Sequence, residues 1–316
     1  MRKFLLLFFI LLFVGACFVY LLKSDNFDFK SPIPKVFGKK TEIKLINNWF
    51  VKNSTKEKNF EKELNLSAKS ALLVDFDSAN VLFEKNSADT LPAGSTIKIM
   101  TALVALDSKK LDDLFTISKN AATVGEDTMG LSTGEKLTFE DLLYGLMLPS
   151  GNDAAVAIAE NVSGSEDAFV SLMNEKAKLL GMVDTKFINA SGLDVDLEDQ
   201  FTTVRDLAVL SHYIWEKHPA FRRITSTDHI FLDATGDHKA YDLYNQTNLL
   251  TTYPGVRGIK PGFTWEAGYC LVTYAENSGK KLIGVILGSE NRRFEMKELL
   301  DFGFSKYGIK VEHPAL

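Results

Sequence analysis

Ser95 and Lys98 form the first candidate catalytic pair in the sequence. They stand in Ser95-Thr96-Ile97-Lys98, and residues three positions apart lie on one face of a helix, so a hydroxyl and an amine can meet. A serine is a poor nucleophile until a base takes its proton. A lysine can be that base only if burial or a nearby cation lowers its pKa, and the apolar helix around Lys98 supplies burial. The pair therefore predicts covalent catalysis, with Ser95 as nucleophile and Lys98 as base.

The Ser-x-x-Lys pattern is weak evidence when it stands alone. A second match occurs at residues 278–281, in a predicted surface turn where we expect no chemistry. A helix cap at Ser95 and a surface amine at Lys98 would leave the same pattern. At the start of a helix, however, the backbone N–H of Ser95 has no partner within the helix, so it could help to hold an oxyanion.

Ser150-Gly151-Asn152 is the second candidate, at a corner between two predicted helices. Such a corner can project a hydroxyl and an amide into a cleft. The spacing itself is common in this chain, so a capping turn is the alternative. The same Ser-x-Asn spacing occurs at 24–26, 78–80, 118–120 and 289–291.

Lys260 opens the third candidate, the segment 260–264 with the sequence KPGFT. A lysine on an edge strand beside a cleft could bind a carboxylate and also lower the pKa of Lys98. An ordinary Lys-Pro-Gly turn is the alternative explanation.

Several other function classes find no support in the sequence. The chain contains no G-x-G-x-x-G or phosphate-loop pattern, and none of its five histidines has H-E-x-x-H spacing. Its 36 Lys and Arg against 41 Asp and Glu give a net charge of −5. The sequence contains no cluster of basic residues of the kind that binds nucleic acid. We therefore expect no metal, no cofactor and no nucleic-acid partner.

Hydrophobic periodicity predicts an α+β fold. Turn formers at 77–80 separate two apolar runs, which indicates a hairpin over 71–85. Predicted helices cover 95–106, 139–148, 153–162, 165–180, 203–217 and 293–302, and predicted strands cover 229–232, 258–260, 267–274 and 281–287. Two short N-terminal strands cannot form a sheet alone, so they should pair with the C-terminal strands. The expected result is an antiparallel sheet with flanking helices, a helical lobe, and a cleft between these two lobes.

An unbroken apolar run from Phe4 to Leu22 follows the first three residues. As a helix it would span roughly 28 Å, close to a bilayer core of about 30 Å. We predict a retained transmembrane helix, with residues 1–22 as membrane anchor, because a cleaved signal usually has a shorter apolar run and a small-residue cleavage site. Arg2 and Lys3 favour a catalytic domain outside the cytoplasm. Secretion after signal cleavage and lipidation at Cys17 are the alternatives.

Residues 23–64 are predicted to form a linker, because they are rich in Lys, Asn and Asp. Its apolar cluster, 43–51, leaves open a short helix that lies on the membrane or docks on the domain. Cys270 lies in an apolar segment and is typical of a small core residue.

Taken together and in this order, the three motifs resemble the signature of the low-molecular-weight penicillin-binding proteins, the serine-type D-alanyl-D-alanine carboxypeptidases. The family's motifs are S-x-x-K, S-x-N and K-T-G. The similarity extends to the segments 91–102, 148–155, 187–193 and 258–271. It implies a two-lobed β-lactamase/transpeptidase-like catalytic domain over residues 65–305, followed by a tail at 306–316.

The resemblance also implies a role for each motif residue. Ser95 would attack the carbonyl between the last two D-alanines of a peptidoglycan stem peptide, and Lys98 would accept its proton. Ser150 would pass a proton to the leaving D-Ala, and Asn152 would hold the substrate backbone and orient Lys98. Lys260 would help to bind the terminal carboxylate.

The substrate would lie along the strand that carries Gly262, Phe263 and Thr264, and the N–H groups of Ser95 and Phe263 would form the oxyanion hole. Water would then hydrolyse the acyl-enzyme. Penicillins would acylate Ser95, because their ring amide mimics the same peptide. The implied partners are a stem peptide that ends in D-Ala-D-Ala, and β-lactams as inhibitors.

Pro261 departs from the family's K-T-G pattern, in which the Thr hydroxyl helps to bind the substrate carboxylate. N–H groups two residues apart point the same way, so the absent N–H of Pro261 faces the cleft together with the N–H of Phe263. Pairing with the next strand would then be intact, as expected for proline on an edge strand. Thr264 points elsewhere and is a poor substitute. Arg292 could bind the carboxylate, or it could be a solvated surface residue.

Other activities are compatible with the same motifs. A D,D-endopeptidase that cleaves peptidoglycan cross-links could use the same site, and a peptidoglycan- or β-lactam-binding module would follow if Pro261 weakened catalysis. A serine β-lactamase would need an E-x-x-x-N segment after Ser95, whereas Glu61 to Asn65 lies before it. Since the sequence stops at Leu316, shortly after the last predicted helix, we expect the N-terminal anchor to replace the C-terminal β-domain and membrane helix of many family members.

Overall fold

Nine strands and nine α-helices occur in residues 44–53, 64–194, 200–247 and 249–313, the segments that a computed structural model describes. The strands are β1 (Ser70–Asp75), β2 (Val81–Lys85), β3 (Leu114–Thr116), β4 (Lys136–Thr138), β5 (His229–Leu232), β6 (Tyr241–Tyr244), β7 (Val256–Thr264), β8 (Gly268–Asn277) and β9 (Lys280–Ser289). The helices are α1 (Lys98–Ser108), α2 (Lys119–Ala122), α3 (Phe139–Met147), α4 (Asn152–Ser163), α5 (Glu166–Leu180), α6 (Val204–Lys217), α7 (Pro219–Thr225), α8 (Leu249–Thr252) and α9 (Arg292–Ser305).

Five strands form one antiparallel sheet in the order β2-β1-β9-β8-β7. β1 pairs with β9, with Ser70 opposite Leu287. This confirms the prediction that the hairpin over 71–85 joins the C-terminal strands. β7 stands at the edge of the sheet, which confirms the position expected for a strand that contains Pro261.

Both faces of the sheet are covered, because successive side chains of a strand alternate between them. On β1, Leu72 and Val74 join the core shared with α1 and α6, whereas Ala71 and Leu73 join the core shared with α9. Burial on both faces explains why these strands are continuous apolar runs. Cys270 on β8 is also completely buried, as expected of a core residue.

The helices α3, α4 and α5 pack against α1. Ser165 caps α5 by accepting from the N–H of Ala168, and Gly181 ends it in the left-handed conformation, at φ 79°. These are the start and stop that the sequence predicts. α4 is buried over residues 152–159, so its first residue, Asn152, is fixed in the protein interior.

Three short strands, three short helices (α2, α7 and α8) and several element boundaries differ from the sequence predictions. β3, β4 and β6 are not predicted, because strands of three or four residues are too short for a clear period of two. The helix predicted over 95–106 divides into a 3₁₀ turn, Gly94–Ile97, and α1. The last helix begins at Arg292, one residue earlier than predicted, because Asn291 caps it by accepting from the N–H of Phe294.

Residues 44–53 of the predicted linker pack against the domain. The indole N–H of Trp49 donates to the carbonyl of Phe76 at 2.8 Å, and the Trp49 ring stacks on His212 with centroids 4.2 Å apart. The segment contains no helix. Residues 44–53 thus dock on the domain, as the sequence analysis left open, but without forming a helix; an aromatic contact and a hydrogen bond to a backbone carbonyl hold them.

The predicted C-terminal tail also contacts the domain where the structure describes it. The hydroxyl of Tyr307 donates to Asp75 at 2.5 Å, and the His313 ring lies 2.9 Å from the Asp301 carboxylate.

No helix in the described part of the chain combines the length and the apolar character that crossing a membrane requires. The predicted membrane segment, residues 4–22, lies outside the described residues, as does Cys17.

Candidate active site

Ser95 and Lys98 are brought into direct contact by the junction of the 3₁₀ turn and α1. Ser95 lies in the turn, and Lys98 is the first residue of α1. The Nζ atom of Lys98 donates to Ser95 Oγ at 2.8 Å. The predicted nucleophile and the predicted base therefore form a hydrogen-bonded pair.

Lys98 is completely buried, and three oxygen atoms surround its Nζ atom. Besides Ser95 Oγ, they are Asn152 Oδ1 at 2.7 Å and the carbonyl oxygen of Ser191 at 2.6 Å. Burial lowers the pKa of Lys98 to about 7, against the opposing effect of carboxylates, chiefly that of Asp127. A neutral Lys98 is therefore accessible near neutral pH.

The three contacts determine where the lone pair of a neutral Lys98 would point. A neutral amine has two N–H groups and one lone pair. The Asn152 Oδ1 atom and the Ser191 carbonyl oxygen can only accept, so they take both N–H groups. The lone pair is left facing Ser95 Oγ, which can then donate its proton. This geometry allows Lys98 to act as the general base for Ser95.

Ser150 lies at the corner between α3 and α4, in a left-handed conformation with φ 69° that is unusual for a residue with a side chain. The N–H of Gly151 donates to the carbonyl of Gly145 at 2.9 Å, which closes the corner. The Ser150 hydroxyl is buried and has no hydrogen-bond partner within the described residues. A buried hydroxyl without a partner is available to a ligand.

Asn152 is fixed by the loop that precedes β4. Its side-chain amide donates to the carbonyl of Gly125 at 3.1 Å, and its backbone N–H donates to the carbonyl of Asp127 at 2.8 Å. Asp153 holds the same loop by accepting from the N–H groups of residues 129, 130 and 131, at 2.9–3.0 Å. Asp153 directly follows the Ser-x-Asn motif, but its residue type alone does not predict this positioning role.

Lys260 is also completely buried, and its Nζ atom has no hydrogen-bond partner in the part of the chain that the structure describes. Burial lowers the pKa of Lys260, and the positive charges of Lys98 and Arg292 lower it further. An anionic ligand would stabilise the charged form and would supply the missing partner.

Two glycines allow β7 to approach the nucleophile. A Cβ atom on Gly262 would lie 2.8 Å from the carbonyl oxygen of Ala93 and 3.1 Å from the backbone nitrogen of Ser95. A Cβ atom on Gly94 would lie 3.2 Å from the backbone nitrogen of Phe263. This close packing of the turn against the strand places the backbone of Phe263 beside that of Ser95.

Arg292 and Thr264 have other structural partners. The guanidinium of Arg292 donates to the carbonyl of Gly262 at 2.7 Å and lies over the Tyr269 ring, 5.3 Å from its centroid. Arg292 is thus half-buried against β7 and β8, and it is not a solvated surface residue. The Thr264 hydroxyl accepts from the N–H of Ala267 at 3.0 Å, so it stabilises the β7–β8 turn.

Ser191 and Gly192 are further residues of the site for which the sequence analysis predicts no role. The carbonyl of Ser191 binds Lys98, and the Asn189 side chain holds this turn by accepting from the N–H of Gly192 at 2.7 Å. Any residue type can supply a backbone carbonyl, so the residue type at 191 does not predict this contact. The only sequence signal for this turn is the family-like segment 187–193.

Replacing Gly192 with alanine should disable the site. Gly192 has φ 87°, and an added Cβ atom would lie 2.3 Å from the carbonyl oxygen of Gly94 and 3.0 Å from the nitrogen of Ser95. Relief requires Ser95 to move, and a displacement of about 1 Å can lower a rate about 100-fold. We expect at least that loss in the rate at which a fluorescent penicillin labels the protein.

Gly134→Ala is the matched control. Gly134 has the same φ of 87°, but an added Cβ atom meets nothing within 4 Å of it in the described structure. Equal losses in the two variants would contradict a steric effect on Ser95.

The sequence matches the D-alanyl-D-alanine carboxypeptidase family model over residues 55–291. D-alanyl-D-alanine carboxypeptidase DacF of Bacillus subtilis is 38% identical over 253 residues, which are 78% of this chain and 64% of that protein. DacC of Escherichia coli is 34% identical over 76% of this chain and 62% of its own length. The chain thus spans less than two thirds of these two curated relatives.

Solved structures agree with this match. A serine-to-alanine mutant of the Streptomyces K15 DD-transpeptidase is 30% identical, with a TM-score of 0.72 over 77% of this chain and 99% of that one. Penicillin-binding protein D2 of Listeria monocytogenes, in its ampicillin-bound form, is 30% identical, with a TM-score of 0.68 over 76% of this chain and 99% of that one. The chain belongs to the D-alanyl-D-alanine carboxypeptidase family.

Proposed function

We propose that this protein is a serine-type D-Ala-D-Ala carboxypeptidase that removes the terminal D-Ala from peptidoglycan stem peptides. The observation that carries the proposal is the 2.8 Å hydrogen bond between Ser95 and a completely buried Lys98. Burial is what makes the amine a base near neutral pH.

In the proposed reaction, Ser95 Oγ attacks the carbonyl carbon of the penultimate D-Ala while Lys98 Nζ takes the hydroxyl proton. The N–H groups of Ser95 and Phe263 hold the oxyanion. Ser150 then carries a proton to the nitrogen of the terminal D-Ala, the peptide C–N bond breaks, and an ester to Ser95 remains. Water hydrolyses that ester and releases the shortened peptide.

Two buried groups without partners support the proposed mode of binding. Lys260 Nζ is the counter-ion expected for the terminal carboxylate, and Ser150 Oγ is the hydroxyl expected near the leaving nitrogen. Asn152 and the edge of β7, at Gly262 and Phe263, hold the substrate backbone. Arg292 contributes through the carbonyl of Gly262, behind the strand.

The test uses the full chain in mild detergent, with a fluorescent penicillin as label and a D-Ala-D-Ala pentapeptide as substrate. We expect both covalent labelling and release of D-Ala. Labelling without release would support a binding module. Release from cross-linked muropeptide dimers but not from the pentapeptide would support a D,D-endopeptidase. Absence of labelling would contradict the proposal.

We further propose that residues 4–22 anchor the protein in the cell membrane in a single pass, with the catalytic domain outside the cytoplasm. The apolar run and the preceding Arg2 and Lys3 support this. Recovery of the intact protein from membranes, only with detergent, is the expected result. Recovery of a shortened protein from the medium would indicate signal cleavage.

Replacing Pro261 with threonine should raise kcat/KM for the pentapeptide about tenfold, mainly by lowering KM. The added hydroxyl can donate to the substrate carboxylate, and a hydrogen bond to a charged group contributes about 1.5 kcal/mol or more. Pro261→Val is the control, because valine has the shape of threonine without its hydroxyl. Equal gains in both variants would attribute the effect to the loss of proline rather than to carboxylate binding.

A further inference from the structure

Three exposed aromatic side chains lie at the end of β7 that leads away from Lys260. We call Phe263, Trp265 and Tyr269 the aromatic strip. Phe263 and Tyr269 are opposite each other on β7 and β8, with ring centroids 4.7 Å apart, and the Phe263 and Trp265 centroids are 5.6 Å apart. Trp265 is 92% exposed, so packing within the domain does not explain a tryptophan at this position.

The strip is continuous with the proposed active site. Gly262 faces the turn that carries Ser95, so the neighbouring side chain of Phe263 points to the opposite face of the strand. Trp265 follows the end of β7, in the turn that leads to β8, and its ring meets the Phe263 ring edge-on. The Arg292 guanidinium covers Tyr269 and binds the carbonyl of Gly262. Arg292 therefore links the backbone of β7 at Gly262 to the Tyr269 ring of the aromatic strip.

The exposed edge of β7 determines how an extended peptide would run. Lys260 would bind the terminal carboxylate, and the N–H of Phe263 would bind the carbonyl under attack. The peptide would therefore add to the sheet antiparallel to β7, with its upstream residues passing Thr264 and then Trp265. Along β7, opposite residues of such a ladder share a face and contact each other. Trp265 lies just beyond, in the turn that the upstream residues reach after Thr264.

We propose that the aromatic strip is a binding subsite for the acyl-donor part of the stem peptide, two residues upstream of the D-Ala that Ser95 attacks. The proposal rests on the proposed carboxypeptidase function. The recognised chemistry is the aliphatic and amide surface of an extended peptide, which stacks on aromatic rings. Peptides that end before the position opposite Trp265 gain nothing from it.

The experiment compares two substrates in the full chain: an N-acetylated pentapeptide that ends in D-Ala-D-Ala, and N-acetyl-D-Ala-D-Ala. Trp265→Ala should lower kcat/KM for the pentapeptide about tenfold and change it less than twofold for the short substrate. Trp265→Phe should retain most of the activity on the pentapeptide. Val183→Ala, which alters an 81% exposed side chain outside β7, should change neither value.

Equal effects of Trp265→Ala on both substrates, or no effect on either, would overturn the proposal. Dependence on Trp265 only when the pentapeptide carries its sugar would assign the strip to the glycan and would also overturn the proposal.

Calorimetric binding of the same peptides to the Ser95→Ala variant separates this proposal from the proposed function. Tighter binding of the pentapeptide through Trp265 would support the strip even if the wild type released no D-Ala. Release of D-Ala with no dependence on Trp265 in either assay would refute the role of the aromatic strip but not the proposed carboxypeptidase function.

Discussion

Replacing Ser95 with alanine should abolish labelling by penicillin and should lower D-Ala release by about 10⁶-fold, the loss expected when a nucleophile is removed from a serine hydrolase. No other hydroxyl donates to or accepts from Lys98 Nζ in the described structure. Water would have to attack the substrate without the ester intermediate. Mass spectrometry of penicillin-treated protein and a coupled D-Ala assay measure the two effects.

The chain offers a matched control for this variant. Ser278 begins the second Ser-x-x-Lys match, in the β8–β9 turn, at φ 47°. Ser278→Gly removes the hydroxyl without strain, and both labelling and release should be unchanged. Labelling that persists in Ser95→Ala, or that disappears in Ser278→Gly, would contradict the assignment of the nucleophile.

Replacing Lys98 with methionine should lower the acylation rate by about 10³-fold, within the usual range for loss of a general base. Methionine keeps much of the length of the side chain but has no lone pair that can take the Ser95 proton. Removal of the completely buried amine relieves a desolvation penalty, but it leaves Asn152 Oδ1 and the Ser191 carbonyl without their donor, so the unfolding temperature should change little. Stopped-flow labelling and a thermal melt measure the two effects.

The pH profile of the wild type tests the same base. Protonated Lys98 has no lone pair, so acylation should be slow below the pKa and should rise as pH increases through about 7, the value to which burial lowers it. The rising limb should be absent from the residual activity of Lys98→Met. A profile that is flat from about pH 5 to 9 in the wild type would exclude Lys98 as the base.

Local patterns predicted much of the fold because their causes are local. The apolar run of α1, the cap and stop of α5 and the proline of the edge strand depend on neighbours in sequence. Local patterns did not predict β3, β4 and β6, because these strands depend on pairing with partners elsewhere in the chain. The docked segment 44–53 is a similar case, because its stability depends on contacts with Phe76 and His212.

The chemical groups of the site can be read from the amino-acid sequence: a serine and a lysine one helical turn apart, a Ser-x-Asn corner, and a lysine on an edge strand in which proline replaces threonine. Residue type and spacing suffice for these, because reactivity resides in side chains. Their electrostatic environment, in contrast, depends on how the chain folds. The complete burial of Lys98 and Lys260, the carbonyl of Ser191 and the approach of Gly262 to Ser95 depend on segments far apart in the chain. A pKa depends on everything that surrounds a group in space, and no local pattern contains that information.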